Sequence, residues 1–541
     1  MMQVQVELKS ITNLGYAVNR CGTLRVDNVL AFIDSQIEQH FDRFNCHNES
    51  NVDDSELYNQ RWILSSTDIT LSPSFNRCQF GSSYDVLIKL ESEKIASRYF
   101  TCRIWPSNKR KQDEQICFIK MIKVPMSPVE KFLLTNETVH GQEYRHIHNK
   151  QHNYSYSITI RPSDLDANQS IRLNNLLIFC QHAACHAMND KKLKDINDLY
   201  DLLRIEHVQL HLMNVASYGD IKVYIWQTRD REDNNTLNFL LTQSSNHICR
   251  ASIKLNSKVN AAIVPFGSVP IIYYEDNCRV VPTSHCSLYR DRFGNPHLNA
   301  FMRMIGDINT SMLHYEDLAS LTQVSKGARY LTVRQNLHVH KHFFAIPPNA
   351  VLQHEVKVAA FGNTSFTFNQ NVYHRSHCLL NVFTKIVCMF DGKLKVLPPW
   401  HKKRYRNLFN KVDLRKMNIP AEIPSKACKY RFESRFDDID ENFHTNQTVY
   451  LCNSLNAASH VVRNQLKAYH TDFGHDFNPS CLTDLQSNYY AESFEHQILD
   501  VFTWQDSEDN TLQFLIKHHQ QDVFYMTATI RDDWMSFQPK L

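Results

Sequence analysis

Two stretches of this chain, about half its length apart, carry one pattern. Arg161-Pro-Ser-Asp164-Leu-Asp166-Ala-Asn168-Gln-Ser170 and Arg435-Phe-Asp-Asp438-Ile-Asp440-Glu-Asn442-Phe-His444 share Arg-x-x-Asp-x-Asp-x-Asn, at an offset of 274 residues (438 − 164). A second pair follows: Trp226-Gln227 with Glu232-Asp233-Asn-Asn-Thr236-Leu237-Asn-Phe239, and Trp504-Gln505 with Glu508-Asp509-Asn-Thr511-Leu512-Gln-Phe514, offset by 275 (514 − 239). Two separated matches at nearly one offset define a duplicated unit, and a duplicated unit restricts the fold more than any local propensity does. A weaker pair, Arg61-Trp62-Ile-Leu and Arg329-Tyr330-Leu-Thr, lies 268 apart (330 − 62), and Val124-Pro125 and Leu397-Pro398 close their segments at a similar offset. The chain therefore reads as two halves, 1–275 and 284–541, each a motif-poor module followed by a motif-bearing one.

Within a module a first strand leads into a loop, then one long helix, then several β-rich stretches. In the last module these are Asn488–Trp504, Leu512–His518 and Phe524–Ile530; in the one before, Tyr330–Phe344, Leu352–Ala360 and Thr364–Tyr373. One helix followed by an antiparallel sheet is α+β, the helix lying on one sheet face. After the Asp438–Asn446 cluster, Leu451, Leu455, Ala458, Val461, Val462 and Leu466 recur three and four apart, which predicts a helix over 446–467 with one buried face. The cluster thus feeds a helix N-terminus, where unpaired N–H groups and the helix dipole favour negative charge. A carboxylate, an imidazole and an oxyanion-friendly helix end in one place predict a hydrolytic site.

The formal charge of +3 argues against a nucleic-acid or membrane-surface partner, and no run approaches the length of a membrane helix. The N-terminal residues lack an apolar core, so no secretory signal is expected. Fifteen cysteines with no Cys-x-x-Cys pair read as reduced, mostly buried thiols, so a cytoplasmic protein is expected. Gly-x-Ser-x-Gly, Gly-x-Gly-x-x-Gly, P-loop and His-Glu-x-x-His motifs are missing from the sequence, which disfavours a serine hydrolase, a dinucleotide enzyme, an NTPase and a zincin. No cofactor and no metal are expected. His338-Val-His340-Lys-His342 could place three imidazoles on one strand face, but it lacks Cys or acidic companions and reads as an exposed face. The Pro-flanked basic stretch 396–426, with Lys402, Lys403, Arg404, Arg406, Lys411, Arg415 and Lys416, reads as a solvated connector helix rather than a dock for an acidic carrier domain.

Module order, length and the motif Asp438-Ile-Asp440-Glu-Asn442-Phe-His444-Thr-Asn446, then Tyr450, resemble the hotdog fold and, more closely, the fatty acyl-ACP thioesterases. Tyr489-Tyr490-Ala491-Glu492-Ser493 resembles a later element of that family, whose Glu joins the catalytic network. The resemblance implies four hotdog modules, each a long helix wrapped by an antiparallel sheet: 1–130, 150–275, 284–398 and 426–541. It implies two tandem pairs, with the acyl chain between paired modules and the active site in the last. By this resemblance Asp440, Asn442, His444 and Glu492 are catalytic. Asn446, Tyr450, His297 and Asn299 line the substrate, and Gly294-Asn-Pro-His297-Leu-Asn299 is the third module's echo of the motif. Asp166 and Asn168 form a degenerate second site, with Ser170 where the family has His and Asn214 near the Glu position. The expected partner is an acyl carrier protein or CoA thioester.

Chemically, His444 suits a general base near neutral pH, Asn442 would orient it or the carbonyl, and Glu492 would hold the imidazole tautomer. Asp440 could position the reacting group, attack as nucleophile or polarise water; the sequence leaves these open. Two other classes stay in play: a non-catalytic acyl-binding protein of degenerate modules, and a hotdog dehydratase.

Overall fold

The computed structural model describes residues 5–12, 25–42, 62–72, 75, 83–94, 97–107, 115–125, 154–166, 169–196, 199–229, 235–256, 271, 273–275, 278–283, 291, 293, 295–314, 329–347, 350–390, 392–408, 414, 416–440, 443–506 and 510–532. Asn168 and Asn442 lie outside the described residues, as do parts of the 396–426 stretch. The chain divides into two compact units, Met1–Pro265 and Phe266–Leu541.

In the first unit the strands are β1 (Gln5–Thr12), β2 (Trp62–Leu71), β3 (Ser83–Lys94), β4 (Ser97–Pro106), β5 (Cys117–Pro125), β6 (Tyr154–Thr159), β7 (Ile205–Leu212), β8 (Asp220–Arg229), β9 (Asn235–Gln243) and β10 (Asn246–Leu255). Its helices are α1 (Val26–Ile37), α2 (Leu173–Asn189) and the short α3 (Leu199–Leu203). The ten strands form one sheet in the order β1-β3-β4-β5-β2-β7-β10-β9-β8-β6. Counted from each outer edge inward, both halves run first, third, fourth, fifth, second. They meet where β2 and β7 pair antiparallel, Ser66 opposite His211 and Thr70 opposite His207.

The second unit follows the same rule. Its strands are β11 (Tyr273–Glu275), β12 (Cys278–Thr283), β13 (Arg329–Val339), β14 (Leu352–Phe361), β15 (Ser365–His374), β16 (His377–Phe390), β17 (Lys393–Leu394), β18 (Cys428–Glu433), β19 (Leu482–Tyr489), β20 (Ile498–Gln505), β21 (Thr511–His518) and β22 (Gln521–Ile530). Its helices are α4 (Leu298–His314), α5 (Pro399–Arg404) and α6 (Gln447–Arg463). The sheet order is β11-β12-β14-β15-β16-β13-β19-β22-β21-β20-β18, with β17 beside β16. The seam is β13 against β19, Arg334 opposite Asn488 and His338 opposite Asp484. Joining two sheets through these strands leaves neither with an open inner edge. A long helix on an antiparallel sheet of this order is the hotdog arrangement, and the fold is α+β.

The repeated Trp-Gln pair has a structural reason. The Gln227 side chain donates to the Lys194 carbonyl and accepts the Lys194 N–H, both at 2.8 Å. Gln505 accepts the N–H groups of His470 and Thr471 at 3.0 Å and donates to Thr471 Oγ1. In each case one amide fixes the chain leaving the long helix to the sheet below. The preceding Trp226 and Trp504 are buried.

Several sequence expectations change. The helix after the cluster stops at Arg463, because Gln465 takes a φ of 51° and the N–H groups of Gln465 and Leu466 close on Val462 and Val461; Leu466 is left exposed. The helix has no single buried face either. Asn453, Ser454, Asn456 and Ser459 are buried along with Leu451, Leu455 and Val461, since α6 lies against α4 as well as β18, β20 and β21. The stretch Asn488–Trp504 is two strands, β19 and β20, parted by the Tyr490–Gln497 loop that carries Glu492.

His338, His340 and His342 do not share a strand face: β13 ends at Val339, and His342 lies in a 3-10 turn, Lys341–Ala345. His338 pairs across the seam with Asp484 at 2.7 Å. The basic stretch is not simply solvated. Leu397, His401 and Tyr405 are buried, and Met417, Ile419 and Ile423 pack over Trp504, Leu515 and Tyr525 on the outer sheet face.

Candidate active site

Between β18 and α6 the chain makes a 3-10 turn, Phe436–Asp438, and then a tight loop. The Asp438 carboxylate accepts the Arg435 N–H at 2.8 Å. Asp440 N–H donates to the His444 carbonyl at 2.9 Å, and the Asp440 carboxylate accepts the His444 N–H at 3.4 Å. Phe443 closes this loop with a φ of 64°, a conformation that costs a bulky residue and is held here by the bonds on either side. A bridge between Ile439 and Thr445 finishes it.

The same loop occurs twice more among the described residues. Before α2, the Asp164 carboxylate accepts the Arg161 N–H at 2.8 Å, Asp166 N–H bonds the Ser170 carbonyl at 2.8 Å, and the Asp166 carboxylate accepts the Ser170 N–H at 3.1 Å. Gln169 has a φ of 61°, and Leu165 bridges Ile171. Before α4, Asp291 N–H bonds the Asn295 carbonyl at 2.8 Å, and the Asp291 carboxylate accepts the N–H groups of Phe293 and Asn295, each at 2.9 Å. His444, Ser170 and Asn295 each stand three residues before the first residue of their helix. The position equivalent to His444 in the third stretch is therefore Asn295, and His297 sits instead at the helix-cap position. There its carbonyl accepts the Ala300 N–H at 3.0 Å. Asn299 lies within the first turn of α4.

Thr445 N–H bonds the Ser493 carbonyl at 2.7 Å, as Ile171 N–H bonds the Ala216 carbonyl at 3.2 Å. Glu492 thus corresponds to Val215, one residue beyond the Asn214 expected from alignment. Glu492 Oε2 lies 3.2 Å from His444 Nε2. A third group was not read as part of the site: Arg329, the first residue of β13, brings one guanidinium nitrogen 3.2 Å from the same Nε2. Its signal was the Arg61/Arg329 alignment, which pointed to a repeat rather than to chemistry. The β13–β19 register carries the start of β13 past the end of β19, toward the loop that holds Glu492.

The His444 side chain is 7% exposed and its ring stands edge-on to Phe494, 5.4 Å between centroids. Burial pushes its pKa below the ordinary value of 6.5, Glu492 opposes that and Arg329 reinforces it, which favours the neutral ring. A neutral ring is the state a general base needs, and here its Nε2 is met by both Arg329 and Glu492.

Thr445 and Ser493 also anchor a buried chain of hydroxyls. Ser434 and Thr445 are 2.8 Å apart, Ser493 and Thr445 2.8 Å, and Tyr450 and Ser493 2.9 Å. The Tyr450 ring stacks on Phe524, and burial pushes its phenol up to about 12. Tyr450, expected at the substrate, is a buried brace. Asn446, also expected there, caps α6: its side-chain oxygen accepts the Thr448 N–H at 3.0 Å and the Thr448 hydroxyl at 2.8 Å. Within either unit taken alone, no three His, Cys, Asp or Glu groups among the described residues converge as metal ligands.

No family model matches the chain, and no curated protein matches it. Among solved structures it is similar to a protein of Lactobacillus plantarum assigned as an oleoyl thioesterase, at 14% identity over 46% of this chain and 93% of that one, TM-score 0.37. It is similar to the 12:0-ACP thioesterase of Umbellularia californica at 14% identity over 48% of this chain and 98% of that one, TM-score 0.37. It is also similar to a MaoC-like dehydratase of Phytophthora capsici at 12% identity over 38% and 72%, TM-score 0.25. No helix among the described residues is long and apolar enough to cross a membrane.

Proposed function

We propose that this chain hydrolyses fatty acyl thioesters of coenzyme A or an acyl carrier protein. One site would serve, in the last of four hotdog modules over 1–130, 150–275, 284–398 and 426–541, with His444 as general base and Glu492 as its partner. The observation that carries this is the buried His444 with Glu492 at 3.2 Å, on a turn whose two sister copies among the described residues hold Ser170 and Asn295 instead. A buried imidazole on one of three otherwise alike turns, met by a carboxylate from the loop after β19, is not needed to close the turn. Asn442 keeps the orienting role that its motif position suggests. Asp440 would serve as the lock that holds the loop rather than position the reacting group, attack or polarise water, since its sister aspartates make the same bond where no base follows.

The substitutions at Ser170, Val215 and Asn295 favour a second reading, in which the modules bind an acyl chain without cleaving it. Thiol release from acyl-CoA and acyl-carrier-protein panels separates the two. Turnover by the full chain that is lost in His444→Ala supports hydrolysis. Retained acyl ligand without thiol release, or equal turnover in both proteins, removes it.

A further inference from the structure

An oxyanion needs hydrogen-bond donors that are not already engaged. The start of α6 was the expected source, but its N–H groups are mostly occupied. Thr445 N–H is held by Ser493, Asn446 N–H by the Asp438 carbonyl at 2.8 Å, Thr448 N–H by the Asn446 side chain and Val449 N–H by the Asn446 carbonyl at 2.9 Å. The guanidinium of Arg329 is differently placed. The residue is exposed for much of its surface, yet one nitrogen reaches the buried Nε2 at 3.2 Å.

That ring nitrogen is offered to two opposite partners at the same distance. Nε2 carries either a lone pair or a proton. Arg329 can bond it only in the first state and Glu492 only in the second. The two contacts thus correspond to the two ends of one proton transfer. The charged groups facing the imidazole are Arg329 from β13 and Glu492 from the loop after β19; the Asp440 carboxylate takes the His444 backbone N–H instead.

We propose that Arg329 is a catalytic residue of the hydrolysis: it leaves Nε2 as substrate and water enter, and donates to the thioester carbonyl oxygen. The inference rests on the hydrolase reading above. Water gives a proton to Nε2 while its oxygen bonds to the thioester carbon, and the carbonyl π pair moves onto the oxygen facing Arg329. The protonated ring is then held by Glu492. Collapse re-forms the carbonyl and breaks the carbon–sulfur bond; the departing sulfur takes the Nε2 proton, leaving a fatty acid and a thiol.

The test compares the full chain with Arg329→Met and Arg329→Lys on acyl-CoA, with and without millimolar guanidinium, across pH. Arg329→Met is expected to lower kcat about 10²–10³-fold with little change in KM, the usual loss for one oxyanion donor. Guanidinium should restore part of that rate in Arg329→Met and none in His444→Ala. The acid limb of kcat/KM should move to higher pH, because the cation opposing ring protonation is gone. Arg329→Lys, which keeps the charge, should retain more kcat than Arg329→Met and leave the limb in place. A kcat within twofold of the parent in Arg329→Met, or a loss unmoved by guanidinium with an unshifted limb, overturns the assignment while leaving the hydrolase standing. A parent chain that releases no thiol from any substrate overturns both.

Discussion

The turn before α2 and the turn before α6 share a backbone and differ in what fills them. Around α6 the interior is a chain of hydroxyls: Ser434, Thr445, Tyr450 and Ser493, all buried. The corresponding positions around α2 are Ile160, Ile171, Leu176 and Ala216, equally buried and wholly apolar. The cross-link from the turn to the loop after the second strand is the same in both, Thr445 to Ser493 and Ile171 to Ala216. Either filling holds the shape. Burying hydroxyls is tolerable only if each is bonded, so the polar filling imposes a fixed geometry that an oily one does not. That geometry occurs where the next side chains outward are His444 and Glu492, and is missing where they are Ser170 and Val215. Loop shape is a property of the repeat, and the imidazole–carboxylate pair is an addition to one copy.

The largest break in this comparison is His444→Ala set beside Ser170→Ala. The first should lower turnover by about 10³-fold or more, the second should leave it unchanged; thiol release on both proteins decides. Glu492→Gln comes next, with a loss of about 10²-fold. The carboxylate raises the His444 pKa, so removing it lowers that value further, and the acid limb of kcat/KM should move to lower pH, opposite to the shift expected for Arg329→Met. A smaller effect tests the lock. Asp166→Ala, Asp291→Ala and Asp440→Ala should each cost about 1 kcal/mol in unfolding free energy. Asp440→Asn, which keeps the accepting oxygen, should hold kcat within roughly threefold, whereas a nucleophilic or water-polarising Asp440 would lose nearly all of it. The smallest is Asn446→Ala, about 1 kcal/mol or less from the lost cap, read as a lower melting temperature with KM unchanged.

Much of the fold was legible because the duplicated residues are structural ones. Gln227 and Gln505 were kept by the amide ties they make, and Arg161 and Arg435 open turns closed by Asp164 and Asp438. Such local devices leave marks in sequence. The polar cluster was visible for the same reason, since Asp440 and His444 lie within one loop. What escaped depended on pairing between distant strands. Arg329 lies 115 residues from His444 and reaches it only through the β13–β19 seam. The break at Tyr490–Gln497 is invisible to periodicity because its flanks are both β-rich. The third copy was misaligned on His297 because Asn295 carries no imidazole to catch the eye; the bonds to Asp291 identify it.

The seam carries a further consequence for how the molecule is made. Arg329 emerges from synthesis well before His444, and the two meet only once β19 has found β13. Long-range strand pairing of this kind is slow to form. A nascent or clipped chain that ends before β19 lacks the seam that brings Arg329 to His444, and with it Glu492 and the Ser493 tie of the turn. On the proposed function, thioester cleavage would therefore double as a gauge of completed assembly, dark until that seam has zipped.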